Sequence, residues 1–352
     1  MHYKPVLERF DRPLRPVEVK HWYNGLLLRS TNWLGDLLMT LPAAYKISCL
    51  VPEPCGFFVL APASLVPVWR ACPWVKAVVP MRGKRISGEE INQVRRLLPG
   101  VAVVMPNSFG AAFDVFRAKI PMRIGRAGCF RSLLLNHTIP EWPRGENIGK
   151  CHQLSYYLEL ASTLGEVSYD CECPPLEVSP EAASHYCIRK NDQWLALAPG
   201  AAFGPAKQWP ARYFRRVAQL WQEQGGKVVL VGTKQESEAA AEIASACPKA
   251  LNLVGRSGLA ELMSILANVD LVVANDSGAM HLAAALGTPG VAIFGSTDPV
   301  ATGPIGAPWQ LAVSKAECRP CFQRKCPLEG ARKYHCLKQI SPEEVFEMLP
   351  RD

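Results

Sequence analysis

Between residues 194 and 294 the chain repeats one unit: five short β-rich apolar runs, at 194–198, 227–231, 251–254, 271–274 and 291–294, separated by gaps long enough for a helix. In the first gap Pro210 stands where a helix would begin, Tyr213, Phe214, Val217, Leu220 and Trp221 share one face, and Gly225-Gly226 close it. The other helical stretches lie near 236–247, 258–268 and 278–286. Strands alternating with helices in this way pair in parallel, with helices over both faces of the sheet. The first half repeats the scheme less cleanly, with strands at 25–28, 57–60 and 101–105 and helices at 35–47 and 153–164. A Pro-Pro pair inside 171–180 marks a linker. After residue 295 the pattern gives way to loops, a cysteine cluster and a last helix opened by Ser341-Pro342-Glu343-Glu344. With 352 residues, enough for two domains, the expected fold class is α/β: two Rossmann-like, doubly wound domains facing across a cleft. Ligands in such sheets bind at the carboxyl ends of strands, so the loops after Leu28, Ala198, Val231, Ala274 and Phe294 carry the functional interest.

Composition narrows the classes. The most apolar stretch, 55–69, falls short of the roughly 20 residues a membrane helix needs and is broken by Pro62 and Pro67. The N-terminal stretch is charged and Pro-rich without an apolar export segment, so a cytosolic location is expected. The net charge of +8 is uneven: residues 1–150 hold 21 Lys and Arg against 10 Asp and Glu, a balance of +11, and the remainder carries −3. The first half is therefore expected to face an anionic partner, either an acidic small substrate or a membrane surface. Nucleic acid ranks last, because the basic residues form no long run and lack regular aromatic interleaving.

Five loops hold candidate chemistry. After Leu28 comes RSTNWLGD, which places Asp36 in a first helical turn. That is a favourable place for any carboxylate, and also a place from which a general base could meet an incoming hydroxyl. After Ala198, PGAAFGPAKQWP offers two glycines, Gly200 and Gly204, for close backbone approach, with Lys207 as its only charge and suited to a phosphate. After Ala274, NDSGAMH brings Ser277 and Gly278 to a helix N-terminus, an anion site, with His281 one turn on; Asp276 reads as the N-cap. After Val231, Glu236 is placed to accept ribose hydroxyls, and GSTDP after Phe294 adds small polar groups. Neither GxGxxG nor GxxxxGK[ST] occurs, which lowers NAD-dependent and P-loop chemistry together.

Of thirteen cysteines, nine are scattered and read as reduced thiols. The other four, Cys318, Cys321, Cys326 and Cys336, have the spacing of a metal knuckle, structural zinc or an iron–sulfur centre, weighed against thiols that simply pack a small C-terminal lobe.

Taken together, LLLRSTNWLGDLLMTLPA, PGAAFGPAKQWPARYF, VVLVGTKQESEAA and NDSGAMHLAAALGTPGVAIFGSTDP, with CRPCFQRKCP and HCL near the end, resemble the heptosyltransferases of lipopolysaccharide core synthesis, glycosyltransferase family 9, in their heptosyltransferase II form. The resemblance implies a GT-B fold with an N-terminal extension (1–23), an acceptor domain (24–175), a nucleotide-sugar domain with a Cys-rich lobe (176–335) and a last helix (336–352) packing back on the first domain. It implies inverting transfer of heptose from ADP-heptose to the anionic inner core of lipopolysaccharide, at the cytoplasmic face of the inner membrane, with no cofactor required. By motif position Asp36 is the base and Lys207 neutralises the leaving diphosphate. Gly204, Asp276, Ser277, Gly278 and His281 hold the donor, and Glu236 takes the ribose. Arg123, Arg126 and Arg131 lie in a segment that resembles one near the acceptor. Two other readings stand beside it: a different nucleotide-sugar enzyme of the same fold, either a hexosyltransferase or a non-hydrolysing epimerase, and a non-catalytic module organised by the cysteine cluster.

Overall fold

The computed structural model describes residues 2–10, 14, 17–141 and 150–350. Its contacts divide the chain into two units, one of Val6–Glu177 and one of Met1–Pro5 with Val178–Asp352. The first contains strands β1 (Gly25–Arg29), β2 (Gly56–Pro62), β3 (Ala77–Met81), β4 (Val101–Val104), β5 (Met122–Arg126) and β6 (His137–Ile139). The second contains β7 (Trp194–Ala198), β8 (Lys227–Leu230), β9 (Leu251–Asn252), β10 (Leu271–Asn275), β11 (Gly290–Phe294) and β12 (Trp309–Val313). Strands β1, β4, β7, β10 and β11 are buried at every residue, as a parallel sheet covered on both faces requires.

The strands pair in parallel in the orders β3-β2-β1-β4-β5-β6 and β12-β11-β10-β7-β8-β9. Counted from its own first strand, each sheet has the Rossmann order 3-2-1-4-5-6. Each therefore reverses direction once, between β1 and β4 in the first and between β7 and β10 in the second, and the crevice at that reversal is where such sheets take ligands.

Four strands escaped the sequence pattern. β3 contains Pro80, tolerated because β3 is an edge strand, and β6 is a three-residue edge. β5 reads MRIGR, its apolar alternation hidden by two arginines that the fold buries or half-buries. β12 lies in the stretch read as loops and pairs along its length with β11. β9 is shorter than expected, two residues rather than four.

Ser341 Oγ accepts from the Glu344 amide, as its sequence foretells, and helix Pro342–Glu347 packs on helix Ala211–Glu223. Val345, Phe346 and Leu349 enter the same core as Phe214 and Val217. Within the N-terminal extension, the Tyr3 amide donates to Trp309 O at 2.8 Å in one unit, and Val6 O and the Val17 amide are hydrogen-bonded within the other. Residues 1, 11–13, 15 and 16 of that segment lie outside the described residues.

Candidate active site

In the first unit, a cavity of about 600 Å³ opens where β1 and β4 end. Thr31, Trp33 and Asp36 line it from the β1 loop, Met105 and Asn107 from the β4 loop, Glu141 from the stretch after β6, and Gln153 and Tyr157 from the helix Leu154–Ala161 and its cap. Asp36 is the only acid in the first turn of helix Leu34–Cys49, where the helix dipole favours its charge. The loop before it is fixed by buried polar contacts. Arg29 Nε meets Asp114 Oδ2 at 3.3 Å and its Nη2 donates to Asn32 Oδ1 at 3.1 Å, while Trp69 Nε1 donates to Ser30 Oγ at 2.9 Å. Burial pushes Asp114 up and Arg29 down, each towards neutrality, and their mutual attraction opposes both shifts. Across the cavity, Gln153 Nε2 donates to the Tyr157 hydroxyl at 2.8 Å. Burial pushes the Tyr157 phenol up, and the charge of Asp36 adds to that, so Tyr157 stays a neutral donor at working pH. The Thr31 hydroxyl is buried with no hydrogen-bond partner among the described residues, an arrangement that calls for a ligand or solvent.

The three arginines expected to meet an acceptor each make hydrogen bonds within the fold. Arg126 is buried, pairs with Glu159 at 2.7 Å and donates to Pro140 O at 3.0 Å. Arg131, also buried, donates to Pro106 O at 2.6 Å and to the Arg126 carbonyl. Arg123 donates to Leu134 O at 2.6 Å and to Pro121 O at 3.1 Å. Sequence shows a cationic segment; only the fold shows which carbonyls claim its charges. Arg126→Met is expected to cost about 3–5 kcal/mol by taking the guanidinium away from the buried Glu159 carboxylate, measurable by urea unfolding. An acceptor-binding role would instead raise KM with stability unchanged.

In the second unit the counterpart lies where β7 and β10 end. Asn275, the last residue of β10, holds the β7 loop at two points: its Nδ2 donates to Pro199 O at 2.7 Å, and its Oδ1 accepts from the Trp209 amide at 3.0 Å. Between those points Gly204, at φ +145°, lets the loop press on the Arg324 carbonyl, which a Cβ would meet at 2.5 Å. The close approach it permits is thus to Arg324 backbone. Lys207 Nζ lies 2.5 Å from Asp276 Oδ2 and 4.9 Å from the Phe203 ring centre. Thr297 Oγ1 donates to the same Asp276 oxygen at 2.7 Å.

Asp276 is therefore not the N-cap. That place belongs to Ser277, which begins helix Gly278–Ala285 without a side-chain capping bond. The Ser277 and Ser296 hydroxyls are buried with no hydrogen-bond partner among the described residues, and His281 is buried in the helix's first turn. The Lys207 ammonium, paired to Asp276, the buried Ser277 hydroxyl and a helix N-terminus are the kinds of group from which an anion site can be built. Glu236 stands over the same loop: its Oε2 accepts from the Thr233 amide and hydroxyl, both at 2.7 Å, and a Cβ at Gly200 would come within 2.8 Å of its Oε1.

Sequence reasoning missed Asn275, Thr297, Gln153 and Tyr157. Asn275 carries a weak signal, a polar residue at the end of a buried strand, and Thr297 lies in the GSTDP loop read only as small polar groups; Gln153 and Tyr157, at the cap and in the body of a helix far along the chain from Asp36, carry none.

The four late cysteines gather: Cys336 is buried, burial pushes its thiol up, and Cys318, Cys321 and Cys326 are near enough to push the same way. Yet among the described residues no three His, Cys, Asp or Glu side chains are arranged to hold a metal ion, and the Cys326 sulfur accepts from the Tyr334 amide at 3.3 Å. Of the four, Cys318 is exposed, Cys321 and Cys326 are half-buried, and Cys336 alone is buried. No helix among the described residues is long and apolar enough to cross a membrane.

Comparison with known proteins bears on the whole chain. The family model described as glycosyltransferase family 9 (heptosyltransferase) matches residues 93–332. Lipooligosaccharide heptosyltransferase 2 of Haemophilus influenzae is 30% identical over 349 residues, covering 92% of this chain and 98% of that protein. Lipooligosaccharide heptosyltransferase 2 of Campylobacter jejuni serotype O:2 is 36% identical, covering 92% and 96%. The solved structure of Escherichia coli ADP-heptose LPS heptosyltransferase II superimposes with a TM-score of 0.75 at 27% identity, covering 92% of this chain and 96% of that one. Two Rossmann-ordered sheets, a polar constellation at each reversal and these matches agree: the chain belongs to glycosyltransferase family 9, the heptosyltransferases.

Proposed function

We propose that the protein transfers heptose from ADP-heptose to the anionic inner core of lipopolysaccharide, with inversion at the anomeric carbon, while peripherally associated with the cytoplasmic face of the inner membrane. The observation that carries this reading is the anion site of the second unit, Lys207 ion-paired to Asp276 beside the buried Ser277 hydroxyl at the start of a helix. The relatives' names supply the donor and acceptor classes.

In this reading Asp36 takes the proton of the acceptor hydroxyl as its oxygen attacks the anomeric carbon. The bond to the diphosphate breaks on the opposite side, and ADP departs with the electron pair. Lys207, the first amides of helix Gly278–Ala285 and the Ser277 hydroxyl counter the charge that develops on the leaving group. His281 adds a donor from the helix's first turn. Asp276 and Thr297 hold Lys207 in place, and Glu236 Oε1 accepts a ribose hydroxyl. Tyr157 donates towards Asp36 and orients the carboxylate.

Calorimetry with ADP and UDP in parallel tests the donor assignment. ADP is expected to bind at least about tenfold more tightly, a difference of about 1.4 kcal/mol. Tight UDP binding with no response to ADP would favour a different nucleotide-sugar enzyme of the same fold.

A further inference from the structure

The Cys-rich segment after β12, CRPCFQRKCP at residues 318–327, takes no part in the proposed reaction, yet the fold fastens it to the loops of the donor site. The Cys321 and Phe322 amides both donate to Ser296 O, at 3.0 and 2.9 Å. Arg319 commits its side chain to the same loop, donating to Gly295 O at 3.3 Å and to Thr297 O at 2.8 Å. Thr297 is the residue whose hydroxyl meets Asp276. A second attachment reaches the β7 loop: the Ala206 amide donates to Arg324 O at 3.2 Å, beside the close approach that Gly204 permits.

Fastened on both sides, the segment lays the Arg324 side chain on Phe203. The guanidinium carbon stands 5.4 Å from the ring centre, and Lys207 Nζ stands 4.9 Å from the same centre. One half-buried ring thus holds two cations. They differ in what else they meet. Lys207 is ion-paired to Asp276, whereas among the described residues the exposed Arg324 guanidinium has neither a carboxylate partner nor a hydrogen bond. The Lys207–Asp276 pair is neutral as a whole and cannot by itself balance the charge of a nucleoside diphosphate. The unpartnered Ser277 and Ser296 hydroxyls and the helix amides supply dipoles but no net charge. A guanidinium with its donors open supplies what is missing, and its planar fork matches two phosphate oxygens at once.

We infer that Arg324 is a further donor-binding residue: its guanidinium meets the diphosphate, and the Cys-rich segment delivers it there along the Phe203 ring. The inference rests on the proposed function for the ligand's being a nucleoside diphosphate. The segment's attachments use its own amides, the Arg319 side chain and the Arg324 carbonyl, all of which survive truncation of the side chain at 324. Removing the guanidinium therefore tests its charge without releasing the segment.

The test is calorimetry of the full chain and of its Arg324→Ala variant with ADP, with UDP and, by competition, with adenosine. The variant is expected to bind ADP about tenfold or more weakly, as loss of a charge-assisted contact does. Adenosine affinity and thermal unfolding are expected to stay unchanged, because the side chain is exposed and its backbone contacts remain. The wild-type affinity for ADP should also fall more steeply with added salt than the variant's. ADP affinity in Arg324→Ala equal to wild type would overturn the inference. So would an equal loss for adenosine, the mark of a side chain that only shapes the loop. Wild-type protein that binds UDP and not ADP, with Arg324→Ala weakening UDP, would count against the proposed function and leave Arg324 in its role. Binding of neither nucleotide by wild type would overturn both.

Discussion

Replacing Asp36 by Asn is expected to lower kcat for ADP release by about 10²–10⁴-fold, the range for removal of a general base, while ADP affinity stays within about twofold. The separation follows from placement. Asp36 belongs to the cavity of the first unit, and the groups proposed to hold ADP belong to the second. Asn keeps the size and the first-turn position but cannot take a proton. Steady-state assays of ADP release paired with calorimetry check both halves, and undiminished turnover in the Asn variant would remove Asp36 from the mechanism. Tyr157→Phe should act through the same carboxylate, with a smaller loss of kcat.

Lys207→Ala is expected to have the next largest effect, a loss in kcat of about 10²–10³-fold, comparable to removing one donor from a site that stabilises developing charge. The variant also leaves Asp276, only 4% exposed, with Thr297 as its remaining partner in the trio. A buried carboxylate so orphaned should cost about 3–5 kcal/mol in urea unfolding. The double variant Lys207→Ala, Asp276→Asn separates the two effects: most of the stability should return, and the turnover should not. Recovery of turnover in the double variant would mean that Lys207 serves only to neutralise Asp276.

The alternating pattern at 194–294 was enough to read a parallel α/β sheet, and the two loops with the strongest local chemistry, RSTNWLGD and PGAAFGPAKQWP, do sit at the two sheet reversals. What stayed hidden depends on contacts between distant segments. Asp276 looked like a helix cap because its neighbours in sequence suggest one; Lys207, sixty-nine residues earlier, takes it out of that role. Arg126 was expected near the acceptor, and Glu159, thirty-three residues later, draws it into a buried ion pair. Pro80 masked an edge strand whose position makes proline harmless.

The most direct measurement of the central claim is product analysis. Purified protein is incubated with ADP-heptose and lipopolysaccharide core lacking that heptose, and the product is examined by mass spectrometry and by NMR of the new anomeric centre. The account predicts one heptosyl unit added to the core, one ADP released per transfer and an inverted anomeric configuration. Untouched ADP-heptose under conditions where ADP binds, or a product that retains the donor's configuration, would contradict it.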